Sequence, residues 1–337
     1  MDTLPVLPLG LVVEIKYRWW LCIALVVLLG VMVDGLVYQW LIGQGISQRV
    51  YLRDLFFSDI QSDTSIGIES EINKKLDVGF KRDASPQFYK DFLLSATVKP
   101  LLTHKGDDHS LALKIVDILG TPDGSICGLE TLGETVFDTR RGLGCCSDYS
   151  KSFLFYANFL GLQAREVSLF NHTTVEYFNR TTGHWQWLDP FNRVEIVNAA
   201  GQFLSLWQVR QTPVFELLIY RKLLTAAANF DVAKYAGYMQ SQMGSILWRR
   251  GTNFLEVEAW DSKMQSWGLT KSQRQLLMLI AGVQPHWLMV TTHANFFYYR
   301  TLRSMLWGAA WLCLVLNLAL FFAFYRLLAS RHRSGHP

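Results

Sequence analysis

Two long apolar segments, one near each end of the chain, constrain this protein more than any other feature. The first covers residues 19–42 and holds one charged residue, Asp34, while the second covers residues 304–325 and holds none. Each is longer than the roughly 20 residues that a membrane-spanning helix needs, and tryptophans or tyrosines stand towards their ends, as in interfacial belts. The sequence therefore predicts two transmembrane helices, with both termini on one side and roughly residues 45–300 on the other.

The basic residues beside these segments bear on orientation. Lys16 and Arg18 precede the first segment and three arginines follow the second, whereas four arginines flank the inner ends of the two segments. Counted over these flanks, Lys and Arg favour termini in the cytoplasm, which puts the central region on the periplasmic or extracellular side of a cytoplasmic (inner) membrane. A cytoplasm-facing central domain remains the alternative. The formal net charge of +4 is small and dispersed, so we expect no nucleic-acid partner.

A cysteine begins a predicted helix in the central region. Apolar and aromatic residues recur at helical spacing after Cys146, and Gly161 ends the pattern. A thiol at the start of a helix lies close to unbonded backbone N–H groups and the positive end of the helix dipole. We therefore expect a lowered pKa and a reactive thiolate at Cys146.

Two predicted strands follow, over residues 163–178 and 184–188, with a turn between them. If residue 178 pairs with residue 183, His172 lies directly opposite Asp189, with Cβ atoms roughly 5 Å apart. Cys146, His172 and Asp189 are then the candidate catalytic residues: the thiolate attacks, the imidazole moves the proton and the carboxylate orients the imidazole.

Four short blocks around these residues resemble the bacterial transglutaminase-like superfamily. They are, in order, Gly144-Cys145-Cys146-Ser147-Asp148-Tyr149-Ser150, Leu160-Gly161-Leu162-Gln163-Ala164-Arg165-Glu166-Val167, His172-Thr173-Thr174-Val175-Glu176-Tyr177 and Trp185-Gln186-Trp187-Leu188-Asp189-Pro190. The resemblance covers roughly residues 108–195 and assigns the nucleophile to Cys146 rather than to Cys145. It implies an α+β fold with a papain/transglutaminase-like core, in which a helix bearing the cysteine packs on an antiparallel sheet bearing the histidine and the aspartate. We interpret Arg165 and Glu176 as structural residues that support the strands, either as an ion pair or as a turn anchor.

The chain then divides into seven segments. They are an N-terminal tail (1–18), a first transmembrane helix (19–42), a connector with short helices (45–107), a transglutaminase-like domain (108–200), a helical extension (201–300), a second transmembrane helix (304–325) and a basic C-terminal tail (326–337).

The resemblance implies a membrane-anchored thiol enzyme that cleaves or transfers an amide acyl group of a protein or peptide, and it implies no metal or organic cofactor. Hydrolysis and crosslinking both remain open. The alternative function is a non-catalytic scaffold or assembly component of a cell-envelope complex, which the two terminal spans and the long region after Asp189 would also suit.

Two smaller questions stay open in the sequence. Cys127 and Cys145 either form a disulfide, which would leave Cys146 as the thiol, or are reduced structural cysteines. The stretch from His104 to His109 contains possible metal ligands, but its composition favours a solvated loop beside a helix start.

Overall fold

The computed structural model describes residues 46–74, 98–104, 106–123, 132–212, 218–223, 230–249, 254–270 and 286–333, with shorter pieces at 273–274, 277–278 and 281–283 and single positions at 28, 30, 32 and 35. The helices are α1 (Ile46–Phe57), α2 (Ile68–Asn73), α3 (Lys99–Leu102), α4 (Asp108–Ile118), α5 (Leu132–Thr139), α6 (Cys146–Phe159), α7 (Leu206–Gln211), α8 (Val232–Gln242), α9 (Phe254–Ser266) and α10 (His293–Arg333). The strands are β1 (Asp59–Ser62), β2 (Ala164–Ser168), β3 (Thr173–Asn179), β4 (His184–Asp189), β5 (Val194–Asn198), β6 (Leu218–Lys222), β7 (Ser245–Arg249) and β8 (Trp287–Thr291).

The fold is α+β, as expected, but the sheet is larger and more mixed than the sequence predicted. The described strands form one sheet in the order β1-β8-β7-β2-β3-β4-β5-β6. Every neighbouring pair is antiparallel except β1 and β8, which are parallel. The expectation of an antiparallel sheet holds for the strands beside the candidate site and is wrong at the β1 edge.

The segment 201–300 is not a helical extension. It contributes three strands, β6, β7 and β8, to the sheet, together with the shorter helices between them. The connector 45–107 likewise contributes β1, which pairs with β8. These strands are only four or five residues long, and hydrophobic pattern alone does not separate so short a strand from a helical segment.

The alternation of β3 and β4 builds a core on each face of the sheet. Val175, Tyr177 and Leu188 face one core, where they pack with the aromatic residues of α6 and with α4 and α5. Trp187 points the other way, into a second core that includes residues of α7 and α8. Because adjacent strand residues point to opposite faces, α6 and α8 cover opposite sides of the strands that carry the candidate site.

The chain divides into two compact units, Arg53–Tyr299 and a second one made of Met1–Leu52 and Arg300–Pro337. Among the described residues, one segment, His293–Ala323, is long and apolar enough to cross a membrane. It contains most of the predicted span 304–325. The predicted span 19–42 lies outside the described residues except at four single positions. One of these, Gly30, lies so near α10 that a Cβ there would be 2.3 Å from Leu320 Cδ1.

Candidate active site

Helix α6 begins at Cys146, as the residue pattern predicted. The backbone N–H of Cys145, its N-cap residue, donates to Asp148 Oδ2 at 3.0 Å. Gly144 precedes it with φ of 102°, a left-handed conformation that favours glycine and turns the chain into the helix. Leu160 caps the other end, and Gly161 follows with φ of 79°. Local chemistry thus defines both ends of the helix that presents the thiol.

The first turns of α6 dock on the start of β3, beside His172. Ser150 Oγ donates to the carbonyl oxygen of Thr173 at 3.1 Å. The backbone N–H of Thr173 bonds the Cys146 sulfur and acts to lower its pKa. Since Thr173 follows His172 directly, this docking brings the predicted nucleophile to the histidine's end of the strand.

His172 and Asp189 are hydrogen-bonded to each other. His172 Nε2 lies 2.5 Å from Asp189 Oδ2, and both side chains are buried. Leu169 N–H donates to the His172 carbonyl oxygen at 2.7 Å and closes the loop that presents the imidazole. Because Nε2 faces the carboxylate, the other ring nitrogen, Nδ1, is the one that can exchange a proton with a thiol.

The strand register that predicted this pair is wrong by two residues. The hairpin pairs Phe178 with Trp185 and Asn179 with His184, so the turn closes later than assumed. Asp189 is consequently a diagonal rather than a direct neighbour of His172. A shift of two residues keeps every side chain on its face, and diagonal neighbours remain within reach of long side chains.

Asp189 is a fully buried carboxylate that five donors satisfy. Its Oδ1 accepts the backbone N–H groups of Phe191 and Asn192, each at 3.0 Å. Its Oδ2 accepts His172, the Asn192 side-chain amide at 2.8 Å and the Tyr235 hydroxyl at 2.5 Å. Burial alone would raise the pKa of Asp189, but the charge of His172 and the side-chain hydrogen bonds outweigh burial and lower it. The carboxylate therefore stays ionised.

Two tyrosines of α8 complete the surroundings of the pair, and the sequence reasoning missed both. The Tyr235 ring meets the His172 ring edge-on, with centroids 6.3 Å apart, and the Tyr238 ring does so at 5.9 Å. Tyr238 Oη donates to the Asn171 carbonyl oxygen at 3.3 Å. Their spacing of three residues on one helix was the available signal, because such residues share a helix face.

The expected lowering of the Cys146 pKa is wrong. A hydrogen bond with the Cys145 side chain, burial and the charge of Asp189 raise the pKa and outweigh the Thr173 N–H. A hydrogen bond that the neutral thiol makes favours the protonated form, and burial penalises the thiolate. A thiolate at this position thus depends on a proton acceptor nearby rather than on the helix start alone.

Arg165 and Glu176 form a buried ion pair, the first of the two structural roles that the sequence left open for them. Arg165 Nε donates to Glu176 Oε2 at 2.8 Å, and both residues are buried. Glu176 also accepts the Leu206 N–H at 2.6 Å and the Trp248 indole N–H at 3.1 Å. The pair thus ties β2 and β3 to α7 and β7, away from the His172–Asp189 pair.

The stretch from His104 to His109 leads into the first turn of α4. Asp107 caps the helix by accepting the Ser110 N–H at 2.7 Å, and Asp108 pairs with Arg180. Within the residues that the structure describes, no group of three or more His, Cys, Asp or Glu side chains is arranged to hold a metal ion. Cys145 and Cys146 each carry a thiol, so of the two alternatives for Cys145 the structure has the reduced cysteine. Cys127 itself lies outside the described residues.

Comparisons with protein-family models, with curated proteins and with solved structures found no match to this chain.

Proposed function

We propose that this chain is a membrane-anchored thiol enzyme that transfers an acyl group from an amide, with Cys146 as nucleophile, His172 as general base and acid, and Asp189 as the carboxylate that orients the imidazole. One observation carries the proposal: the buried hydrogen bond of 2.5 Å between His172 Nε2 and Asp189 Oδ2, at the strand end on which α6 docks with Cys146 at its first residue. A thiol nucleophile, a histidine base and a carboxylate that orients the histidine are the three groups that a cysteine acyltransferase uses.

Because the pKa of Cys146 is raised, the thiol loses its proton only during the reaction. The thiol gives its proton to His172 Nδ1 as the sulfur attacks the amide carbonyl carbon, and Asp189 stabilises the imidazolium. The tetrahedral intermediate collapses when the amine leaves with a proton from His172, which gives a thioester on Cys146. The N–H of Cys146 at the α6 start is the donor we assign to the oxyanion. Water then releases an acid, or an amine forms a new amide.

The substrate is an amide of a protein or peptide, and the core is proposed to be papain/transglutaminase-like. In support, the helix with the thiol packs on the sheet that carries the aspartate and in which β3 begins directly after the histidine. The four sequence blocks lie on that helix, on β2, β3 and β4, and on the residues that directly adjoin them. No cofactor enters this chemistry.

We also propose two membrane spans, with the 53–299 unit outside the cytoplasm. The apolar segment His293–Ala323 supports the second span. The close approach of Gly30 to Leu320 supports the first, because small residues at membrane helix interfaces let two helices approach closely. A reporter fused after Pro337 should be active only in the cytoplasm; activity on the outer side would reverse the orientation.

The raised pKa of Cys146 is the observation that favours the alternative, a non-catalytic module in a cell-envelope complex. A buried thiol that no base deprotonates would pack as a small apolar side chain. The two functions differ in what His172 does to Cys146, so they can be separated without knowing the substrate.

The test is the alkylation rate of Cys146 by iodoacetamide in the full-length protein in detergent micelles, followed by mass spectrometry from pH 5 to pH 9. The enzyme proposal expects alkylation near pH 7 at least about tenfold faster than that of a free cysteine. It also expects His172→Asn to abolish that excess. Cys145→Ser, as the matched control, keeps the His172 dependence. A rate no higher than a free cysteine's, unchanged by His172→Asn, would refute the enzyme and favour the scaffold.

A further inference from the structure

One oxygen of Asp189 carries most of the side-chain hydrogen bonds at the site. Oδ2 accepts His172 Nε2 at 2.5 Å, Tyr235 Oη at 2.5 Å and Asn192 Nδ2 at 2.8 Å. The Asn192 amide nitrogen also lies 3.4 Å from His172 Nε2. The bond that orients the imidazole therefore shares its acceptor with two further donors.

Helix α8 and the aromatic rings beside it position Tyr235 in this arrangement. Asp231 caps the helix by accepting the Lys234 N–H at 3.0 Å. The Tyr235 ring packs against Phe230 at 5.3 Å and Tyr220 at 6.1 Å between ring centroids. With the ring fixed by these contacts, the hydroxyl is aimed at the carboxylate at little entropic cost.

We propose that Tyr235, with Asn192, is a positioning residue that sets the strength and geometry of the His172–Asp189 hydrogen bond. Each donor draws charge from Oδ2, so the imidazole meets a carboxylate that is oriented but less basic than an isolated one. Too basic a carboxylate would hold the imidazolium and delay the return of its proton to a leaving group. The inference rests on the proposed function for the role of the pair, and its first measurement does not use reactivity.

A purely structural role for Tyr235 is the competing account, in which its hydroxyl only holds α8 on the sheet. The chain offers a matched control for this. Tyr220 is a buried neighbour in the same aromatic cluster, and within the described part of the chain its hydroxyl has no hydrogen-bond partner. Tyr220→Phe and Tyr235→Phe thus remove the same atom from the same core, but only the second removes a donor to Asp189.

The groups that can influence the readout lie on several elements. Asp189 of β4 and Asn192 of the following turn face His172 Nε2, and Tyr235 and Tyr238 face the ring from α8. Cys146, at the start of α6, interacts electrostatically with Asp189. Tyr235→Phe and Asn192→Ala each remove a neutral hydrogen-bond donor and leave all of these charges in place.

The first measurement is the proton resonance of His172 Nε2–H in full-length protein labelled with 15N-histidine in micelles, assigned by its loss in His172→Gln. Tyr235→Phe should move it downfield, because Oδ2 then bonds fewer donors. Asn192→Ala keeps the backbone N–H bonds of the turn and should also move the resonance downfield. This second variant keeps the inference testable if Tyr235→Phe does not fold. Tyr220→Phe should leave it in place. A resonance that Tyr235→Phe and Asn192→Ala do not move would overturn the inference.

The second measurement is the pH midpoint of Cys146 alkylation in the same variants. A more basic Asp189 stabilises the imidazolium, so Tyr235→Phe should lower the midpoint by about half a pH unit, a factor of about three in proton affinity. If the alkylation rate of Cys146 depends on His172, an unchanged or raised midpoint in Tyr235→Phe would contradict the inference. If alkylation does not depend on His172 but the resonance still moves, the enzyme proposal fails while the positioning role of Tyr235 holds.

Discussion

Replacing Arg165 by methionine should destabilise the 53–299 unit strongly. Arg165 is 3% exposed and Glu176 is 0% exposed, so the substitution leaves a buried carboxylate without its cation. Breaking a buried ion pair in this way costs about 3–5 kcal/mol. Arg165 also donates to the Ile72 carbonyl oxygen and lies over the Trp185 ring at 4.0 Å, and methionine replaces neither contact fully. The cost should therefore reach the upper part of that range.

The assay is thermal unfolding of the full-length protein in micelles, followed by tryptophan fluorescence. For a unit of this size, each kcal/mol lowers the Tm by about 2–4 °C, so a cost of about 4–5 kcal/mol in Arg165→Met should lower it by about 8–20 °C. Adding Glu176→Gln to the Arg165 variant removes the stranded charge and should recover at least about 2 kcal/mol. Arg141→Met is the matched control, because Arg141 pairs with Asp138 on the surface and should cost less than about 1 kcal/mol.

Two results would refute this reasoning. If Arg165→Met lowers the Tm no more than Arg141→Met does, the buried pair does not hold the sheet together. If Glu176→Gln makes the Arg165 variant still less stable, the cost comes from lost packing rather than from an unpaired charge.

Three further predictions concern the same unit. Cys145→Ala removes the hydrogen bond that raises the pKa of Cys146, so the pH midpoint of Cys146 alkylation should fall. Gly120→Ala should lower the free energy of unfolding by about 1–3 kcal/mol, because the added Cβ would lie 2.4 Å from the backbone nitrogen of Gly142. Gly237→Ala in α8 is the control: its Cβ meets nothing within 4 Å, so the substitution should stabilise the protein by about 0.5–1 kcal/mol. Asp189 has a lowered pKa when folded, so its stabilisation is complete above its unfolded pKa near 3.9 and is lost as the pH falls through the folded value. Acid unfolding below about pH 4 should therefore depend less steeply on pH in Asp189→Asn.

The candidate residues were predictable because their signals are local. The aromatic spacing after Cys146 and the glycine after Leu160 defined α6, and the turn residues between the two strands defined the β3–β4 hairpin. The predicted register was wrong because it did not use the Asn179 side chain, which accepts the N–H groups of Thr181 and Thr182 and sets where the turn closes. The predicted contact between His172 and Asp189 still forms, because a register error of two residues keeps each side chain on the same face of the sheet.

The sequence by itself determined the elements whose causes lie within a few neighbouring residues: the helix that begins at Cys146, the hairpin that carries Asp189, and the long apolar helix near the C-terminus. Only the tertiary structure decided the place of β7 and β8 in the sheet, the proximity of Tyr235 to Asp189 and the raised pKa of Cys146. Those features depend on groups that meet through packing and burial, and hydrophobic periodicity carries no information on which distant segments pair. The thiol's chemistry therefore depends on the surroundings that the fold assembles around Cys146.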